Sequence, residues 1–182
     1  ILTSDNGPKQ VGLDGREDGY YFGGFVTDFG HKSSGSLRGF KASIWEGGHR
    51  VPFRAKWTNK ITACQVSDNL ICLTDMMASF AAITGYNISN DMGEDSFNAL
   101  PVILGNDQEI RENIIHQDYS GNLSIRQGDF KLVGDKLYNF STDITEEVDV
   151  ADQYPEKVLE LKNLLDKQVE NNRTRPHTEQ VH

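Results

Sequence analysis

The sequence predicts an α/β region followed by a small antiparallel sheet packed with a C-terminal helix. Three observations carry that reading. Apolar Ile1 and Leu2 run into the turn sequence Asp5-Asn6-Gly7-Pro8, as at the end of a buried strand. Residues 74–85 carry helix start and stop signals. Beyond residue 105, short β-like runs separated by Gly, Asn and Asp precede a Pro-opened amphipathic segment.

Taken in order, residues 9–40 are rich in Gly, aromatics and charge with little periodicity, and read as a long loop. Loops of that length inside compact domains are uncommon and often functional. Tyr20, Tyr21, Phe22, Phe25 and Phe29 crowd it, and suit either stacking on sugar or aryl rings or packing of the loop. "SIWEGGHRVPFRAKW" reads as two short extended pieces around Gly47-Gly48. In the 74–85 helix, Thr74 suits the N-cap, Asp75 the first turn and Gly85 the αL position. Met76, Met77, Phe80, Ala81 and Ile83 are its expected apolar face. "NIIHQDY", "LSIRQGDFKLVG" and "DKLYNFS" are the expected strands. A helix over about 156–170 follows, with Val158, Leu161, Leu165 and Val169 at helical spacing and Leu164 alongside. The polar end, "NNRTRPHTEQVH", reads as frayed. The expected division is 1–104 and 105–182.

The 182 residues are 37% hydrophobic and 25% charged, an ordinary globular balance. No apolar run approaches the roughly 20 residues that span a bilayer. The net charge of −9 argues against general nucleic-acid binding. That charge is uneven: residues 28–60 hold seven basic and two acidic side chains, a local +5. From charge alone such an excess reads first as a solvated strand-and-loop surface, and is compatible with an anionic ligand. Two cysteines, Cys64 and Cys72, either pair or stay as thiols.

Three residues stand out chemically. Asp5 and Asn6 are adjacent hard oxygen donors at a strand end, suited to Ca²⁺ or Mg²⁺, though Asp-Asn-Gly is also a common turn. Two donors fall short of the roughly 6–8 oxygens Ca²⁺ takes. The Lys41 ammonium can neutralise a sulfate or phosphate oxygen, or be an ordinary surface lysine. Glu46 and Arg50 read as an ion pair, with Gly47 and Gly48 allowing tight backbone beside them.

"TSDNGP", a variable aromatic loop and "LRGFKASIWEGGHRVP" together resemble the second half of the formylglycine-dependent (type I) sulfatases of the alkaline-phosphatase-like superfamily. "LTDMMASFAAITG" and "SIRQGDFKLV…KLYNFSTDITEEVDVA" are similar to that family's following helix and C-terminal subdomain. The resemblance implies that Asp5 and Asn6 ligate a divalent metal, normally Ca²⁺, and that Lys41 binds the substrate sulfate. It implies that Glu46, Gly47, Gly48 and Arg50 hold the Lys41 strand. His116 is then either a substrate-subsite residue or a plain strand histidine. The implied partners are a sulfated small molecule or glycan and the N-terminal half of a catalytic domain. The implied compartment is periplasmic, secreted or lysosomal. Four Asn-x-Ser/Thr sequons, at Asn87, Asn122, Asn139 and Asn172, would permit glycosylation.

The family's nucleophile comes from Cys/Ser-x-Pro-Ser-Arg, which these residues lack: Cys64 begins "CQVSD" and Cys72 "CLTDM". The expectation is a piece of a longer sulfatase, inert by itself. Two other readings stay open: a non-catalytic module binding sulfated glycans, and a phosphatase or phosphodiesterase of the same superfamily.

Overall fold

The computed structural model describes residues 1–8, 32–106 and 108–177. Tyr20, Tyr21, Phe22, Phe25 and Phe29 of the long loop lie outside them. The clearest element is a meander of four antiparallel strands, β3 (Asn113–Gln117), β4 (Leu123–Gln127), β5 (Phe130–Val133) and β6 (Lys136–Asn139). Two-residue loops, Gly128-Asp129 and Gly134-Asp135, join the last three strands, with both glycines at positive φ (55° and 59°). That backbone suits the twist of tight hairpins.

The register sorts the side chains onto two faces. Ile115, Ile125, Leu132 and Leu137 stand opposite one another across the four strands. One residue along, Ile114, Arg126, Lys131 and Tyr138 form a second row, and the pleat turns it to the other face. The apolar row is covered by α4 (Pro155–Glu170). Proline is tolerated in the first turn because the N–H it lacks would have no intrahelical partner. Leu161 is fully buried against Ile125, Leu132 and Leu137, with Val158, Leu164 and Leu165 packed beside it. Each such leucine contributes about 1.5–3 kcal/mol by burial. Val169, expected on the same face, is 49% exposed.

The earlier region is built differently. β1 (Leu2–Thr3) pairs antiparallel with β2 (Phe53–Arg54). The expected buried strand end is instead open: Ile1 is 61% and Leu2 66% exposed. Around Gly47-Gly48 the chain forms a single helical turn, α1 (Glu46–His49), instead of two extended pieces. A 3₁₀ turn over Leu73–Asp75 leads into α2 (Met76–Thr84), which ends on Gly85 at φ 72°. A short α3 (Leu100–Ile103) follows.

The start of α2 differs from expectation. Asp75, not Thr74, organises it: its carboxylate accepts N–H bonds from Cys72 (2.7 Å) and Phe97 (3.0 Å) and pairs with Arg111 (3.1 Å). The expected apolar face is turned inward only in part, with Met76 and Ala81 half-buried. Ala78 and Ser79 are the buried positions, while Met77, Phe80 and Ile83 face outward. Ser79 explains this, since its hydroxyl donates to the Asp75 carbonyl and accepts from the Ala99 N–H, both within 2.8 Å. Cys64 and Cys72 are free thiols.

The C-terminal segment is not frayed over its described part. Beyond α4 it returns to the 89–95 loop. Arg173 donates to the Asn90 carbonyl, Arg175 to those of Ser89 and Met92, and Thr174 to the Asp95 carboxylate. The Arg175 N–H adds a bond to the Glu94 carbonyl at 2.8 Å. Among the described residues no helix is long and apolar enough to cross a membrane.

Candidate functional site

The residues after β1 and the Lys41 segment are joined main chain to main chain. The Gly7 N–H donates to the Gly48 carbonyl and the Lys41 N–H to the Pro8 carbonyl, each at 2.9 Å. This contact requires glycine. A Cβ on Gly7 would lie 1.8 Å from the Gly47 carbonyl oxygen, and one on Gly47 would lie 2.4 Å from the Gly39 carbonyl oxygen. Beside the junction is an open cleft of about 550 Å³, lined among others by Asn6, Pro8, Ser34, Gly47, Arg50 and Pro52. Asp5 and Lys41 are exposed, and Asn6 is half-buried.

Beneath α1 is a buried ionic cluster. Glu46 is 2% exposed and meets Arg126 of β4 at 2.9 Å and Lys131 of β5 at 3.2 Å. Lys131, fully buried, also meets Glu146 at 2.8 Å. The second Glu146 carboxylate oxygen accepts the Glu46 N–H at 2.9 Å. Arg38, one residue before Gly39, donates to the Glu146 carbonyl and lies 3.6 Å over the Trp45 ring. The cluster holds two carboxylates against one ammonium and one guanidinium, so its charges balance. Breaking such a pair by removing one partner costs about 3–5 kcal/mol, because the other charge stays buried.

Two histidines flank the cluster. His116 of β3 stacks on His49 of α1 with ring centroids 4.3 Å apart. Its Nδ1 lies 3.6 Å from Glu46. Burial first, then the charge of Lys131, the neighbouring His49 and Arg126, hold His116 well below the usual imidazole range. Burial and Lys131 lower His49 as well. Burial pushes the Glu146 carboxyl up, against the pull of Lys131.

The hairpin that carries His116 also reaches the lysine loop. The Tyr119 N–H, in the β3–β4 turn, donates to the Ala42 carbonyl at 3.0 Å. Ala42 itself holds a positive φ of 75° next to Lys41.

The sequence-predicted residues therefore divide. Asn6, Gly47 and Arg50 line the cleft; Asp5 and Lys41 are exposed and outside its lining, Lys41 being joined by its main chain to Pro8. Glu46 does not pair with Arg50: its carboxylate turns inward to Arg126 and Lys131, and Arg50 meets Glu46 through its own N–H and the Glu46 carbonyl at 2.7 Å. His116 lies inside, against Glu46 and His49. Arg126, Lys131 and Glu146 were not read as part of the site. Their signal was present, because they lie in the "SIRQGDFKLV" and "TEEVDV" stretches that carry the resemblance.

As cation donors, Asp5 and Asn6 offer suitable hard oxygens but are two of a larger set. Among the described residues no group of three or more His, Cys, Asp or Glu is placed to hold a metal.

An N-acetylgalactosamine-6-O-sulfatase of Bacteroides thetaiotaomicron is 33% identical over 91% of this chain and 35% of its own length. A solved sulfatase from that organism's glycosaminoglycan-metabolism locus superposes with a TM-score of 0.79 at 32% identity, over 91% of this chain and 37% of its own. The chain belongs to the sulfatase family. Human N-acetylgalactosamine-6-sulfatase is 35% identical over 57% of this chain and 17% of its own length. For fold alone, a Pseudoalteromonas sulfatase superposes with a TM-score of 0.72 at 21% identity, over 97% of this chain and 38% of its own. The family's alkaline-phosphatase-like fold is therefore this chain's fold. The chain spans about a third or less of the length of the curated relatives it matches. No family model matches it.

Proposed function

We propose that this chain is the sulfate-recognition part of an enzyme that hydrolyses carbohydrate sulfate esters. The observation that supports this most is the main-chain junction between the Asp5-Asn6 turn and the Lys41 loop. It ties the main chain of Lys41 to Pro8, three residues after Asp5, next to an open cleft that Asn6 lines. The names of the relatives, N-acetylgalactosamine 6-sulfatases, support the carbohydrate class.

In this reading Lys41 binds a sulfate oxygen and offsets the charge that builds as the ester bond breaks. Asp5 and Asn6 supply two of the ligands for a divalent cation that takes hard oxygen donors, Ca²⁺ by resemblance to the family. When bound, that cation adds Lewis-acid stabilisation of the sulfate. Gly7, Gly47 and Gly48 keep the two loops at contact distance. Glu46 anchors α1 to the sheet beneath, so the Lys41 loop has a rigid floor. The nucleophile in this reading is a formylglycine from outside these 182 residues, which hold no Cys/Ser-x-Pro-Ser-Arg.

The test measures turnover of N-acetylgalactosamine 6-sulfate and inhibition by inorganic sulfate, using the protein as its source makes it. Lys41→Ala is expected to lower kcat/KM about 10²–10³-fold, the usual loss of one stabilising group. The 182 residues alone are expected to show no turnover. Unchanged kinetics in Lys41→Ala would overturn the proposed role. Sulfated-glycan binding that needs Lys41, with no turnover by the natural protein, would favour a binding module.

A further inference from the structure

We infer that Tyr119 is the residue on which the sugar ring of the substrate stacks, and so a determinant of which sulfate ester is accepted. This rests on the proposed role of Lys41. The geometry behind it is a hairpin docked along the lysine segment at two points. His116 stacks on His49 at 4.3 Å, and the Tyr119 N–H is bonded to Ala42, the residue after Lys41, at 3.0 Å. Tyr119 thus sits at the tip of the β3–β4 turn, anchored by its own main chain one residue from the sulfate-binding lysine.

The turn is rigid. The Asp118 carboxylate accepts N–H bonds from Ser120 (2.8 Å) and Asn122 (2.9 Å) and from the Asn122 side-chain amide (2.9 Å). The Asp118 N–H in turn donates to the Asn122 carbonyl at 3.0 Å. Nothing in this bonding uses the Tyr119 side chain, which is 88% exposed. A large aromatic held out to solvent by so ordered a turn loses little freedom when a ring covers it. An aromatic ring suits a pyranose, because its face takes the C–H side of the sugar ring. The sulfate is fixed by Lys41 and the ring by Tyr119, so the two residues read different parts of one ligand.

The experiment uses the protein as its source makes it, with N-acetylgalactosamine 6-sulfate as substrate and inorganic sulfate as inhibitor. Tyr119→Ala is expected to raise KM roughly tenfold, in line with loss of one stacking contact. Its kcat, its inhibition by inorganic sulfate and its melting temperature should stay at wild-type values, and Tyr119→Phe should keep a near wild-type KM. If Tyr119→Ala keeps the wild-type KM while Lys41→Ala abolishes turnover, the inference is wrong and the sulfatase reading stands. A fall in melting temperature with KM unchanged would show that the ring packs against protein, and overturns it equally. Wild-type protein that neither hydrolyses the ester nor is inhibited by sulfate sinks both.

Discussion

The two regions of this molecule are ordered by different forces. From β3 onward, the sheet and α4 enclose Ile125, Leu132, Leu137 and Leu161, each at most 2% exposed. Among the described residues before position 105, the only buried apolar side chains larger than alanine are Ile44 and Val102. What that region buries instead is polar: Glu46, Asp75, Ser79 and Ser96. Its larger apolar side chains, Ile1, Leu2, Met77, Phe80 and Ile83, point outward. One region is held by non-directional burial. The other is held by directed bonds, several of which end on the first: Glu46 on Arg126 and Lys131, Asp75 on Arg111. Directed bonds fix geometry at fine scale, which suits the role proposed for the Lys41 loop.

The strongest way to break this contrast is Lys131→Ala. It leaves Glu46 and Glu146 facing each other without their shared cation, and a loss of about 3–5 kcal/mol in urea unfolding is expected. A loss below about 1 kcal/mol would mean that the cluster is not what joins the regions. Next, Leu161→Ala should cost about 2–5 kcal/mol, whereas Phe80→Ala, though it removes a larger side chain, should stay within about 0.5 kcal/mol. Equal losses would erase the distinction.

The smallest effect concerns pH. Unfolded histidine takes up its proton near 6.5, while His116 and His49 in the fold do so lower. Their contribution is therefore present above pH 6.5 and is lost as pH falls through the folded values. Asp75 and Glu146, pushed up by burial, act oppositely, but nearer the ordinary carboxylate range. From pH 7.5 to 5.5 the melting temperature should fall, and His116→Gln should flatten that fall. An unaltered slope in the variant would remove the histidine pair from the account.

Where local pattern decides structure, the sequence was readable. The strands of the meander and the Pro155 start of α4 follow from spacing and turn residues within a few positions. The α2 face was misread because Met77, Phe80 and Ile83 look like core by hydropathy, while Ser79, buried for its hydroxyl, looks like surface. Glu46 and Arg50 read as an ion pair because they are opposite charges close together in sequence. Its actual partners, Arg126 and Lys131, are 80 and 85 residues away, and no local pattern announces them. Of the residues singled out in the sequence, Asn6, Gly47 and Arg50 meet at the cleft, whereas the bond from Tyr119 to Ala42 joins segments 77 residues apart that no local pattern relates.

The return of residues 173–175 to the 89–95 loop has a consequence for assembly on the ribosome. Bonds such as Thr174 to Asp95 and Arg175 to Ser89 span 79 and 86 residues. The 89–95 loop is synthesised long before its partners. Until α4 has formed and delivered the strap, that loop must wait with its carbonyls in water. The last described turn of the chain is thus the latch that closes the earlier region, and a nascent chain released just short of it would leave the tunnel with its sheet complete and its latch open.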